Sequence, residues 1–210
     1  MPINTQSGES MDDHLTKRQR QALETKQRIY ESAVELFIHL PYDQVKISDI
    51  CEKAGVSVGV FYHYFPSKGH VFNEGYTNFD KELRTYLAQV EADPIRIIEL
   101  AVQKYLETNM KKGAAYRSVF LKNQLEIKDS QAIRSVVKNV LSESIGSAVE
   151  GGYLEGNGPD IACQLVRALR GFIFEWAMQD GSFNLAEEGI EVARILLNHY
   201  RTAKPIPPAR

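Results

Sequence analysis

Residues Ile47 to Phe65 read ISDICEKAGVSVGVFYHYF, and this stretch decides the fold. Ile50 and Ala54, four apart, lie on one face of a short helix and make its core contacts. Gly55 supplies the positive φ that ends this helix, and Val56 plugs the corner behind it. Ser57 caps the next helix with its hydroxyl, which accepts a backbone N–H that has no partner within the helix. Two helices of about 47–54 and 58–64 therefore cross steeply over a three- or four-residue turn. The second helix carries Phe61, Tyr62, His63, Tyr64 and Phe65 in a row and no charged residue, so not all its rings fit in one core. Phe61 and Phe65 face inward, which points Tyr62 and His63 outward, where a phenol and an imidazole reach phosphate oxygens and base edges. Gly59 lets the backbone come close to a duplex. A longer helix opens near Ser67, placing Lys68 beside unpaired amides as an anion site.

The helical period continues on both sides. Ile29, Ala33, Leu36, Phe37 and Leu40 form one stripe of a first helix, and the segments 94–111, 115–126, 130–149, 159–179 and 186–203 read as further helices. Asp93-Pro94 and Gly158-Pro159 put proline in a first turn, where its missing N–H costs nothing. Gly151-Gly152, Gly156-Asn157-Gly158 and Asp180-Gly181 are breaks. No run alternates Val, Ile and Thr between hairpin turns, so the expected class is all-α with about nine helices. Residues 1–14 and 204–210 read as tails, the first polar, the second proline-rich.

At 210 residues, 43 % hydrophobic and 25 % charged, the chain buries a real core. No apolar run suffices for a membrane span, and the polar N-terminus has no secretory leader pattern, so a cytoplasmic location is expected. Cys51 and Cys163 read as two buried, reduced thiols. The histidines lack metal-ligand spacing, and no nucleophile–base pair or phosphate-binding glycine loop is visible, so neither a metal, a cofactor nor an enzyme is expected. The net charge of −2 does not announce a nucleic-acid binder, yet residues 14–72 hold eight Lys or Arg against six acids. Lys17, Arg18 and Arg20 read equally as a DNA-touching arm or a solvated charge run, and Lys26 and Arg28 share that ambiguity.

Residues 29–72 resemble the DNA-binding domain of the TetR family, through Ile29, Ala33, Leu36, Phe37, Tyr42, Ile47, Ile50, Ala54, Gly55, Val56, Ser57, Gly59, Phe61, Tyr62, Tyr64, Phe65, Ser67 and Lys68. Three positions depart from the family pattern. Pro41 stands where glycine is usual. Lys46 replaces a capping threonine, so that Ser48 is the expected cap and Lys46 is left for phosphate. Val60 replaces a threonine that touches DNA in the family and offers methyls to a thymine instead. The resemblance implies a three-helix DNA-binding domain over 15–72, with its motif at about 46–65, and an effector-binding and dimerisation domain over 73–203. The expected DNA-binding residues are Lys46, Ser57, Val58, Gly59, Val60, Tyr62, His63, Tyr64 and Lys68.

The second domain is rich in aromatic residues, and Tyr105, Tyr116 and Phe172 are the candidates for an effector cavity of unknown ligand. Helix 159–179 has an apolar arc of about half its circumference, wider than a surface helix needs, and helix 186–203 repeats this feature. Val166, Ile173, Ala177, Ile190 and Leu197 are accordingly expected at a homodimer interface. A two-fold dimer reads an approximate palindrome with half-sites about 34–36 Å apart or further. The leading expectation is a repressor released from DNA by a small-molecule effector. The alternative is a constitutive DNA-binding dimer with a protein partner and no effector.

Overall fold

The computed structural model describes residues 16–126 and 131–204; the expected tail 1–14 lies outside the described residues, as does the expected tail 204–210 beyond Lys204. Among the described residues the fold is all-helical: α1 (Lys17–His39), α2 (Ile47–Ala54), α3 (Val58–Tyr64), α4 (Val71–Leu87), α5 (Pro94–Lys112), α6 (Ala114–Glu126), α7 (Gln131–Glu150), α8 (Gly158–Met178) and α9 (Leu185–His199). Single 3-10 turns, Tyr42–Gln44 and Lys68–His70, precede α2 and α4. Among the described residues the one extended pairing is an isolated bridge between Leu154 and Arg201.

Local chemistry explains the helix ends. Thr16 caps α1, with the Gln19 amide donating to Thr16 Oγ1 at 3.2 Å and the Thr16 amide donating to Gln19 Oε1 at 2.8 Å. Asp93 accepts the Ile95 and Arg96 amides ahead of α5, and Asn157 and Asn184 cap α8 and α9 in the same way. At α2 the expected cap was Ser48. Instead the Lys46 amide donates to Asp49 Oδ2 at 2.9 Å, because a carboxylate at the third position reaches back over the helix start. Gly55 ends α2 at φ 64°, ψ 41°, the left-handed conformation the turn requires.

Two cores result. The N-terminal one packs Ile29, Ala33 and Phe37 of α1 against Ile50 and Ala54 of α2 and Phe61 and Phe65 from α3 and its end. The second is built around α5, α7, α8 and α9. The helix α6 joins them: Tyr116 and Phe120 are buried in the N-terminal core, while Ser118 Oγ donates to the Ala177 carbonyl of α8 at 3.3 Å.

The dimer residues expected from the wide apolar arc need correction. Val166, Ile173, Ala177 and Leu197 are at most 4 % exposed within the single chain, and Ile190 is half-buried against the same core. The arc is wide because α8 packs on α6, α7 and α9 of its own chain, which takes up the apolar surface attributed to a partner. The exposed apolar residues on this pair of helices are Phe174, Met178 and Ile195. Among the two cysteines, Cys51 is buried as expected and Cys163 is only half-buried; both are free thiols.

A Cβ at Gly55 meets open space, so Gly55→Ala tests backbone conformation alone. It is expected to cost roughly 1 kcal/mol through the left-handed φ, measured by urea denaturation. No loss would mean that the turn does not depend on this conformation.

Candidate nucleic-acid interface and the cavity behind it

The helix α3 is held by one side and offers the other. Phe61 is fully buried and Phe65 is 3 % exposed, their rings 5.8 Å apart. Ser57 caps the helix, its hydroxyl accepting the Val60 amide at 3.3 Å. With that side fixed, Val58, Gly59, Tyr62 and His63 are exposed, Tyr62 by 53 %, while Val60 and Tyr64 are half-buried. A Cβ at Gly59 would find only Ser57 Oγ at 3.8 Å, so the backbone here is bare to a large partner. The exposed face has no acid of its own, and Lys46 is exposed at the start of α2. Such a face, with hydroxyl, imidazole, amide and ammonium donors on a short rigid helix, has the groups that contact phosphates and base edges.

Lys68 is the exception among the expected residues. A 3-10 turn intervenes before α4, and the Ser67 hydroxyl pairs with His70 Nδ1 at 2.8 Å rather than capping a helix. Lys68 Nζ donates to the carbonyls of Tyr42 at 2.6 Å and Val45 at 2.9 Å and lies 4.1 Å from the centre of the Tyr42 ring. Its cation therefore fastens the α3–α4 corner to the turn ahead of α2 and is not an anion site at a helix start. Lys26 pairs with Glu74 of α4, and Lys53 with Glu35 of α1, so both serve the fold. Lys17, Arg18 and Arg20 are exposed on the first turn of α1, and Arg28 is exposed further along it.

Behind this head lies a small cavity of about 30 Å³ between α4, α5 and α6. Tyr105 and Tyr116, two of the aromatic candidates, line it. Phe172 does not: its ring stacks 5.2 Å from Phe183 and abuts the site of Gly189, where α9 comes close to α5. Phe79 and Phe120 complete the aromatic wall, and the polar lining is Thr108, Asn109, Lys112 and Arg117. Sequence reading missed these polar residues. A signal existed, because Tyr105, Asn109 and Lys112 prolong the buried stripe Ile98–Val102 of α5, so polar groups follow an inward-facing row.

Lys112 is the unusual group. Burial lowers its ammonium to about 8, helped by the nearby Arg117 charge and opposed by Glu82. Its Nζ donates to the Tyr30 hydroxyl of α1 at 3.3 Å, and among the described residues no carboxylate lies within ion-pair distance of it. Burial pushes the Tyr30 phenol well above its ordinary value, and Glu82, Glu74 and Glu31 add to the effect, so it stays neutral.

The stretch from the second half of α1 to the first turn of α4 coincides with a known pattern. The family model described as bacterial regulatory proteins, tetR family, matches residues 29–74. Over these residues the chain is similar to the DNA-binding domain of the TetR family. It is 23 % identical over 202 residues to the HTH-type transcriptional regulator AcrR of Shigella flexneri, covering 88 % of this chain and 93 % of that protein. It is 24 % identical over 186 residues to the fatty acid metabolism regulator protein of Bacillus subtilis, covering 81 % and 93 %. Among solved structures it is similar to FadR of Thermus thermophilus, a TetR-family repressor in complex with lauroyl-CoA. The TM-score there is 0.65 at 21 % identity, covering 88 % of this chain and all of that one. That likeness is one of fold and reaches beyond the matched N-terminal residues.

The depressed Lys112 value has a sign that can be measured. A basic group whose folded value lies below its unfolded value opposes folding while both states are protonated, and the penalty fades as pH rises from about 8 toward the unfolded value. Lys112→Met is therefore expected to stabilise the protein at pH 7 by on the order of 1–3 kcal/mol, with the advantage shrinking above pH 8. Thermal melts at pH 7 and pH 10 check this, and a destabilised variant at pH 7 contradicts it.

Proposed function

We propose that this chain is a TetR-type DNA-binding transcriptional repressor that acts as a homodimer on an approximately palindromic operator and is released by a small molecule. The observation that carries the reading is the outward side of α3: Tyr62 and His63 stand exposed on a helix whose Phe61 and Phe65 are locked into the core. We assign DNA contact to Lys46, Ser57, Val58, Gly59, Val60, Tyr62, His63 and Tyr64 over a DNA-binding domain of about 15–72. The remainder, about 73–203, is the effector-binding and dimerisation domain. AcrR and the Bacillus subtilis regulator, both transcriptional or metabolic regulators by name, support the reading, as does the ligand-bound repressor of Thermus thermophilus. The cavity supports a ligand-controlled over a constitutive protein, since its aromatic wall with a few polar groups is the usual make-up of a small-molecule site.

Dimerisation is assigned to the outer faces of α8 and α9. Phe174 and Met178 are exposed by 47 % and 68 % on one, and Ile195 by 72 % on the other. These are the large apolar groups that the two helices leave in water within one chain. A four-helix contact between two copies covers them and presents the two α3 helices on one side.

Fragments selected from the source genome by the purified protein supply the operator. Replacing Tyr62 by Phe together with His63 by Ala is expected to weaken operator binding by roughly tenfold or more at unchanged melting temperature, read by fluorescence anisotropy. Undiminished affinity, or no selectable fragment at low salt, overturns the reading. A paired Phe174→Asp, Ile195→Asp variant is expected to sediment as a monomer and to bind a palindrome no better than a half-site. A variant that remains dimeric removes α8 and α9 as the interface.

A further inference from the structure

The helix α4 begins in one core and continues into the other. Val71 is buried with the N-terminal residues, whereas Phe79 and Leu83 are buried in the second core. Gly75 is midway between Val71 and Phe79, where α4 passes from the DNA-binding head to the body, and it is buried. A glycine inside a helix is less favourable than an alanine, and here the surrounding space accounts for it. A Cβ at Gly75 would stand 2.7 Å from the Tyr30 hydroxyl, 3.4 Å from a carbon of its ring and 3.3 Å from Lys112 Nζ. The Tyr30 side chain of α1 thus lies in a notch that glycine leaves in α4. There its hydroxyl accepts a hydrogen bond from Nζ of Lys112, the last residue of α5, at 3.3 Å.

Around the notch α1 is fixed to α4 itself. Lys26 Nζ pairs with Glu74 at 2.5 Å, and Asn78 Nδ2 donates to Gln27 Oε1 at 2.8 Å. The Lys112 hydrogen bond is of another kind, because α5 packs on α7 and α9 and belongs to the body. A further hold of body on head is apolar, through Tyr116 and Phe120 of α6, which are buried with Ile29, Ala33 and Phe37. Apolar burial brings the two cores together without a preferred direction. A hydrogen bond to a ring seated in a notch fixes the direction in which they meet, since the donor must point at the acceptor.

We propose, resting on the operator reading above, that Tyr30, Gly75 and Lys112 are positioning residues that set the angle of the DNA-binding head on the body and thereby the half-site spacing that the dimer accepts. Tyr30 is next to Ile29 and one turn from Ala33, and both of these are buried in the core that holds α2 and α3. A rotation of α1 about the notch therefore carries α3 with it. In a two-fold dimer the same rotation occurs in both copies and changes the separation of the two α3 helices. One base pair added between half-sites moves the second away and turns it by about a tenth of a helical turn, so a fixed head angle matches one spacing. Base preference within a half-site stays with the exposed side of α3.

The test uses the full-length protein and the palindrome selected from the source genome, rebuilt with base pairs added or removed one at a time between its half-sites, beside a single half-site. Wild-type protein is expected to prefer one spacing by about tenfold or more over its neighbours, read by fluorescence anisotropy. Tyr30→Phe and Lys112→Met are each expected to reduce that preference to about threefold or less, with affinity for the single half-site unchanged. Lys112→Met is expected to melt no lower than wild type at pH 7, so a damaged fold does not imitate this result. Gly75→Ala is expected to lower the melting temperature, because its Cβ meets the Tyr30 hydroxyl. Tyr30→Phe in the same chain is expected to restore the melting temperature but not the spacing preference. An unchanged spacing preference in folded Tyr30→Phe and Lys112→Met overturns the positioning role, as does a loss of half-site affinity equal to the loss on the palindrome. Wild-type protein that selects no fragment refutes the DNA reading and this role with it. A palindrome whose spacing preference survives in the variants refutes this role alone, so the two failures are distinct.

Discussion

The burial of Phe61 and Phe65 against α1 is the constraint on which the rest of the molecule depends. A seven-residue helix has too few internal hydrogen bonds to persist alone. Its orientation comes from two rings set one turn apart, both inside the core formed by Ile29, Ala33, Phe37 and Ile50. Once they are placed, helical geometry leaves no choice about Tyr62 and His63, which project from the opposite side. The Lys68 cation serves the same end from below by tying the following corner to the Tyr42 and Val45 carbonyls.

The same core reaches past the DNA-binding head. Tyr116 and Phe120 enter it from α6, and α6 in turn leans on α8. A shift of α6 or of the Lys112 end of α5 is felt by α1, because close-packed side chains transmit displacement and do not absorb it. Contact across this seam runs through Lys112, Tyr30 and the Ile29–Ala33 face of α1.

Much of this architecture was legible in the chain itself. The positions of α2 and α3 follow from Gly55 and Ser57, and the helix starts at Pro94 and Pro159 follow from the prolines and their caps, because these are effects of single residues on their own backbone. The inward Phe61 and Phe65 and outward Tyr62 and His63 follow from helical period. Tyr105 and Tyr116 were found at the cavity by composition, whereas Phe172, equally aromatic but half-buried, packs against Phe183. Composition records that a ring is buried and does not record what lies on its other side.

What the sequence determined by itself is therefore local: which segments are helices, where they stop, and which side of each is apolar. The tertiary structure alone decided what each apolar side meets. A residue's period gives the direction of its side chain but not the number of neighbours in that direction, so the broad arc of α8 looked like a surface for a second subunit and is filled by α6, α7 and α9. Lys68 and Lys112 show the same for charge. Residues 23 and 26 positions away put carbonyls around the first, and one 82 positions away puts a phenol beside the second, and separations of that size have no trace in local pattern.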